Sequence, residues 1–123
     1  MQRLALASLA GLASAAALAA TAQPASHDAC FLTRDLRGHT VGVDGHTLYF
    51  DVKGVDTYRV TTSGNCLASA ITTDPIVLRD WGRGQICRPL DLGVIVRGAH
   101  CNIASLTRLT PAQASALPKR LQP

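Results

Sequence analysis

Four cysteines, Cys30, Cys66, Cys87 and Cys101, restrict the folding of this chain more than any other sequence feature. An even number of cysteines in a short exported chain is typical of a disulfide framework. A structural zinc site is the alternative, but such sites use close pairs of the C-x₂-C type. No two of these cysteines lie close together in the sequence. The sequence therefore favours two disulfides over a metal centre.

The first residues have the order of an export signal. Arg3 supplies a positive charge, residues 4–20 carry none, and Ala20-Thr21-Ala22 forms a small-x-small cleavage site. A permanent membrane anchor is the alternative, but this run is rich in alanine and close to the shortest length that spans a bilayer. We therefore predict a cleaved signal peptide over 1–22 and a periplasmic or secreted protein, with no permanent membrane span after cleavage.

The remaining residues are enough for one domain. We predict a flexible leader over 23–29, a single β-rich domain over 30–118 and a frayed tail over 119–123. The chain has 12 lysines and arginines against 8 acidic residues, a net charge of +4, and every acidic residue is an aspartate. Most of the basic residues are single and spread along the chain, so no nucleic-acid partner is predicted.

Alternating apolar and polar residues indicate antiparallel strands. Leu48, Phe50 and Val52 face one way in the run 46–52, which follows the hairpin signal Asp44-Gly45. With runs over 39–43 and 57–62, this predicts a three-stranded meander. Further short strands are predicted over 76–79 and 85–88, and a final hairpin is predicted from 92–97 and 101–109.

A short helix is predicted after Thr110, because threonine is a good cap, Pro111 suits the first turn and Gln113 can reach back to the cap. The helix should end by Pro118. The fold class is therefore all-β or β-dominated: a small, disulfide-braced antiparallel meander with a short C-terminal helix. A partly open barrel and a two-sheet sandwich both fit this pattern.

Four cysteines allow three disulfide pairings. If the strands run up and down in sequence order, Cys66 and Cys87 lie towards one end of the domain and Cys101 lies towards the other. We therefore predict the pairs Cys66–Cys87 and Cys30–Cys101.

No set of residues forms a catalytic signature. His39 and His46 flank the first hairpin turn and could share a metal, but two ligands do not make a site, and solvated turn histidines are the better interpretation. Most of the aspartates fall in predicted turns, where aspartate normally caps its own backbone. No nucleophile or phosphate-binding motif is present. We predict no catalytic residue, metal or cofactor, and the sequence favours a protein that is not an enzyme.

The segment 79–84 is the predicted binding loop. It holds Arg79, Trp81 and Arg83, and it includes the only tryptophan of the chain. Tryptophan and arginine are enriched among residues that contribute most to protein interfaces. The alternative is that Trp81 folds back over a small core and leaves the arginines in solvent.

Several segments of the mature chain also resemble a known family, and they are Cys30-Phe31, residues 44–50, Tyr58-Arg59-Val60, Gly64-Asn65-Cys66, residues 76–78, residues 86–91 and Cys101-Asn102-Ile103. They resemble the short exported bacterial proteins of domain-of-unknown-function family 6491, over about residues 30–110. The resemblance implies an exported domain and supplies no catalytic or binding residue.

The functional prediction is a non-enzymatic periplasmic domain that binds an unknown protein or envelope component through a loop. One alternative is a small enzyme whose groups converge only in the fold, for instance His39 and His46 with Asp44. Another is an inhibitor-like module that inserts the loop 79–84 into the cleft of another protein.

Overall fold

The structure is a computed structural model that describes residues 30–123. The predicted signal peptide and leader lie outside the described residues. The strands are β1 (Phe31–Leu32), β2 (Leu36–Val41), β3 (Thr47–Val52), β4 (Asp56–Thr62), β5 (Ile76–Arg79), β6 (Gln85–Ile86), β7 (Gly93–Val96), β8 (Ala99–Cys101) and β9 (Ile103–Arg108). The helix α1 spans Pro111–Ser115, and short 3-10 helices span Thr33–Asp35, Pro89–Asp91 and Lys119–Leu121.

The strands form three antiparallel sheets, with the orders β2-β3-β4-β9, β5-β7-β8 and β1-β6. The predicted β-dominated class is confirmed. The four-stranded sheet ends in β2 and β9 and does not close on itself within residues 30–123. All three sheets contribute to one hydrophobic core, for example through Phe50 and Val60 of the first, Val94 of the second and Ile86 of the third.

The predicted meander corresponds to β2, β3 and β4. Leu48 lies opposite Val60 and Phe50 lies opposite Tyr58, so the apolar positions of the alternation all face the core. The first strand lies at 36–41 instead of 39–43. The Asp44 carboxylate accepts hydrogen bonds from the backbone N–H groups of His46 and Thr47, which fixes a turn that takes up the residues after Val41.

The prediction of a final hairpin over 92–97 and 101–109 is wrong in part. β7 pairs with β8 through a two-residue turn in which Arg97 and Gly98 have φ values of 51° and 81°, as a tight primed turn requires. The chain then changes sheet at Asn102, because β9 pairs with β4. One predicted strand is therefore two strands in two sheets.

The C-terminal segment crosses the outer face of the four-stranded sheet. Thr110 caps α1 by accepting from the Gln113 N–H, and the Gln113 side chain accepts from the Thr110 N–H, as predicted. The tail predicted to fray instead forms a 3-10 helix, and the Thr40 hydroxyl donates to the Leu121 carbonyl at 2.6 Å. This bond fastens the tail to β2.

The predicted disulfide pairing is wrong. The bonds are Cys30–Cys87 and Cys66–Cys101, and no cysteine within residues 30–123 is free. The up-and-down assumption fails because β6 pairs with β1, which brings Cys87 next to Cys30, and not with its neighbours in sequence. Two disulfides are compatible with a small extracellular or periplasmic domain.

No helix within the described residues is long and apolar enough to cross a membrane.

Candidate functional site

The predicted binding loop is held in place at both ends. Asp80 accepts hydrogen bonds from the Gly82 N–H and from the Thr33 hydroxyl, both at 2.9 Å. The Thr33 N–H donates to the Gly84 carbonyl at 3.0 Å, and the Arg83 N–H donates to the Asp80 carbonyl at 3.1 Å. The loop is thus fastened to the 3-10 helix that follows β1, far away in sequence.

Trp81 lies at the surface of this loop. Its side chain is 63% exposed, so it does not close the core. Its backbone has a φ of 56°, in the left-handed region that side chains rarely adopt. The indole ring lies beside Gly93, where an added Cβ would be 3.5 Å from Trp81 Cζ2. The glycine therefore leaves room for the ring against the three-stranded sheet.

The outer face of the three-stranded sheet lies next to the Trp81 ring and extends the exposed surface that the ring forms. Val77, Ile95 and His100 lie side by side across β5, β7 and β8, and Arg79 pairs with Gly93 beneath the ring. The strand residues between them, such as Val94 and Cys101, face the core. We call the surface formed by Val77, Arg79, Trp81, Ile95 and His100 the Trp81 face. It combines a flat aromatic ring, aliphatic side chains and a cation.

Arg83 is directed elsewhere. Its Nη1 lies 3.8 Å from Asp91 Oδ1, and Arg88 Nη2 lies 3.2 Å from the same oxygen. The other Asp91 oxygen accepts from the backbone N–H groups of Cys87 and Arg88. Of the three predicted binding residues, Arg79 and Trp81 thus share one face, and Arg83 pairs with a buried carboxylate beside the Cys30–Cys87 disulfide.

Asp91 is a structural residue that the sequence interpretation did not single out. The Arg88-Pro89-Leu90-Asp91 run does carry a signal, because proline in the first turn and an acidic residue at the third position are typical of a helix start. The Arg88 guanidinium, followed by the Cys87 N–H, holds the pKa of Asp91 below its usual range. Hydrogen bonds from the Thr33 hydroxyl and then the Gly82 N–H lower the pKa of Asp80 in the same way.

These depressed pKa values predict a loss of stability in acid. A carboxylate whose pKa is lower in the folded state stabilises the fold above its unfolded pKa of about 3.9, and this contribution is lost as the pH falls through the folded value. We expect the melting temperature to be flat near neutral pH and to fall below about pH 4. Asp80→Asn and Asp91→Asn should each flatten the fall, measured by circular dichroism at constant ionic strength. An unchanged acid profile in both variants would contradict this account.

The histidines do not form a shared site. His46 Nε2 lies 3.4 Å from Asp44 Oδ2 at the first hairpin turn. His39 lies opposite Phe50 within β2, and its Nε2 is buried, without a hydrogen-bond partner in the described part of the chain. The prediction of two solvated turn histidines is therefore wrong for His39, because the register of β2 places it on the core face. Within residues 30–123 no group of three or more potential ligands could hold a metal ion.

No family model matches this chain, and no curated protein or solved structure matches it either. The resemblance to domain-of-unknown-function family 6491 therefore stays a prediction.

The single tryptophan allows the Trp81 face to be observed directly. Because the ring is largely exposed, we expect its fluorescence emission to be close to that of free tryptophan in water. Gly93→Val should change the emission, since the new side chain meets the ring and the Arg79 Cβ, 3.3 Å from the position of the added Cβ. Gly38→Ala is the control, because nothing lies within 4 Å of an added Cβ there and its backbone does not have a positive φ. Equal spectra for Gly93→Val and wild type would show that the ring does not lie over Gly93.

Proposed function

We propose that this protein is an exported, non-catalytic domain that binds a protein or envelope component through the Trp81 face. The observation that carries the proposal is a tryptophan that is 63% exposed while its backbone is held at a φ of 56°. Such a conformation costs about 1–3 kcal/mol and is concentrated at functional sites. The hydrogen bonds of Asp80 and Thr33 offset this cost and fix the ring in place before binding.

The chemistry of the face indicates the kind of partner. Trp81 and Val77 offer apolar contact, and Arg79 has no ion-pair partner among residues 30–123. The neighbouring carboxylate of Asp80 is occupied by hydrogen bonds within its own loop. A partner that presents an apolar group next to an acidic group would satisfy both the ring and the guanidinium.

The three side chains that the enzyme alternative requires do not come together. That alternative required His39, His46 and Asp44 to meet, but only His46 and Asp44 are in contact, and His39 lies on the core face of β2. The inhibitor-like alternative uses the same loop as the binding proposal. It differs only in the partner, which would be an enzyme whose cleft receives Trp81.

The test compares three immobilised proteins in capture from an envelope extract: wild type, Trp81→Ala and Val43→Ala. Val43 is the matched control, because its apolar side chain is also largely exposed, at 80%. It lies in the turn after β2, whereas the Trp81 loop is attached to Thr33, which precedes β2. We expect wild type and Val43→Ala to retain a component that Trp81→Ala loses. Equal capture by all three proteins would refute the proposal.

A further inference from the structure

A cleft of about 160 Å³ lies between β1 and the β3–β4 hairpin, away from the Trp81 face. Its lining includes Phe31, Asp35, Val52, Lys53, Asp56 and Tyr58. We propose that this cleft is a binding site for a zwitterionic molecule of the size of a free amino acid. The proposal is independent of the proposed function, because it involves none of the residues of the Trp81 face.

Tyr58 supplies the first observation. Its side chain is 2% exposed and lines the cleft, yet its hydroxyl has no hydrogen-bond partner among residues 30–123. The hydroxyl is not fully enclosed, because His39 Nε2 is the only fully buried side-chain polar atom without a partner in the described residues, so the Tyr58 hydroxyl is open to donate to a molecule in the cleft. Burial raises the pKa of this hydroxyl, with a smaller opposing effect of Arg108, so it is a protonated donor at neutral pH.

The charges around the cleft form two pairs of unequal strength. Arg108 Nη2 lies 2.6 Å from Asp56 Oδ1, which is a close, charge-assisted hydrogen bond. Lys53 Nζ lies 3.4 Å from Asp35 Oδ2, which is longer than a normal hydrogen bond, and the lysine side chain is 62% exposed. The Lys53–Asp35 pair can therefore separate and contact a ligand, while the Asp56–Arg108 pair stays closed.

This balance of charge selects the ligand class. The two pairs are neutral together, so a ligand with a net charge would leave one group without a counter-charge. A zwitterion avoids this, because its ammonium group can bind Asp35 while its carboxylate accepts from Lys53 and from the Tyr58 hydroxyl. The aromatic ring of Phe31, whose centroid is 4.8 Å from that of Tyr58, offers apolar contact to the ligand side chain.

The volume of the cleft limits the size of the ligand. The cleft of about 160 Å³ is close to the roughly 150 Å³ of an engineered protein cavity that binds benzene, so it has space for a molecule of about that size. A single small molecule fits this space, whereas drug-sized ligands need about 300 Å³ or more.

The experiment titrates the protein with L-leucine and follows the backbone amide resonances by ¹H–¹⁵N NMR. We expect saturable shifts at Phe31, Val52 and Tyr58 at millimolar concentrations. Tyr58→Phe should weaken binding about tenfold, as the loss of one hydrogen bond to a charged group predicts. The variant keeps the ring and loses a hydroxyl that has no partner, so it should fold.

Two controls complete the test. Tyr49→Phe alters the other tyrosine, which faces away from Phe50 and Val52 on β3, and should bind as wild type. Lys53→Gln should weaken binding at an exposed position without affecting the fold. N-acetyl-L-leucine amide, which has neither charge, should not bind. The absence of saturable shifts with leucine, equal affinity of Tyr58→Phe and wild type, or equal binding of the uncharged analogue would overturn the proposal.

Discussion

Replacing Cys66 and Cys101 together by alanine is expected to lower the free energy of unfolding by about 4 kcal/mol. The bond joins residues with a sequence separation of 35, and the chain-entropy model gives about 4 kcal/mol for a loop of this length. The Cys30–Cys87 bond, with a separation of 57, should contribute slightly more. A domain of this size has about 5–15 kcal/mol in total, so loss of both bonds should unfold it.

Denaturant unfolding of the two double variants and of the reduced wild type measures these losses. Non-reduced peptide mapping is the control for the connectivity and should find Cys30 linked to Cys87. Cys87 is exposed, whereas Cys101 is buried, so mild reduction should open the Cys30–Cys87 bond first. A peptide that links Cys30 to Cys101 would contradict the connectivity, and a double variant as stable as wild type would contradict the energetic argument.

Phe31→Ala should destabilise the domain by about 3–5 kcal/mol, as is usual for a buried aromatic side chain. Phe31 is 5% exposed and packs against Tyr58, although it belongs to a strand of only two residues. Trp81→Ala is the matched control, because it also removes an aromatic ring, but from a position that is 63% exposed. We expect it to cost less than about 1 kcal/mol.

Thermal and denaturant unfolding of the two variants decide between the two roles. If Trp81→Ala is as destabilising as Phe31→Ala, the tryptophan contributes to the core and the proposed binding face loses its central residue. If Phe31→Ala has little effect, the two-stranded sheet of β1 and β6 contributes little to the stability of the core.

Local patterns were enough to predict the meander and the helix. The alternation around Phe50 gives the buried face of β3 directly, and Thr110, Pro111 and Gln113 define the start of α1 within one turn. These signals lie within a few residues of each other, so they do not depend on the rest of the chain.

The long-range pairings could not be predicted in this way. The two-residue strands β1 and β6 have no periodicity of their own, and only their pairing places Cys30 next to Cys87. The change of sheet at Asn102 likewise depends on β4 offering a free edge to β9. Short strands of this kind are determined by tertiary contacts and not by local preference.

In the candidate site, too, the local features could be predicted from the sequence and the long-range contacts could not. The composition of the segment 79–84 indicated Trp81 and Arg79, but its attachment to Thr33 joins residues 47 positions apart. Tyr58 lies within the predicted strand 57–62, but whether its hydroxyl has a hydrogen-bond partner depends on side chains from several elements.

The two disulfides are interlaced along the chain, because Cys66 lies between Cys30 and Cys87, and Cys87 lies between Cys66 and Cys101. In a chain that enters an oxidising compartment N-terminus first, Cys30 and Cys66 are both present before their native partners, Cys87 and Cys101, have entered. An oxidase that acts at that moment joins the wrong two thiols, and the error must be undone by thiol–disulfide exchange once Cys87 and Cys101 have followed. The yield of native protein then depends on disulfide isomerase activity, and not only on the rate of oxidation.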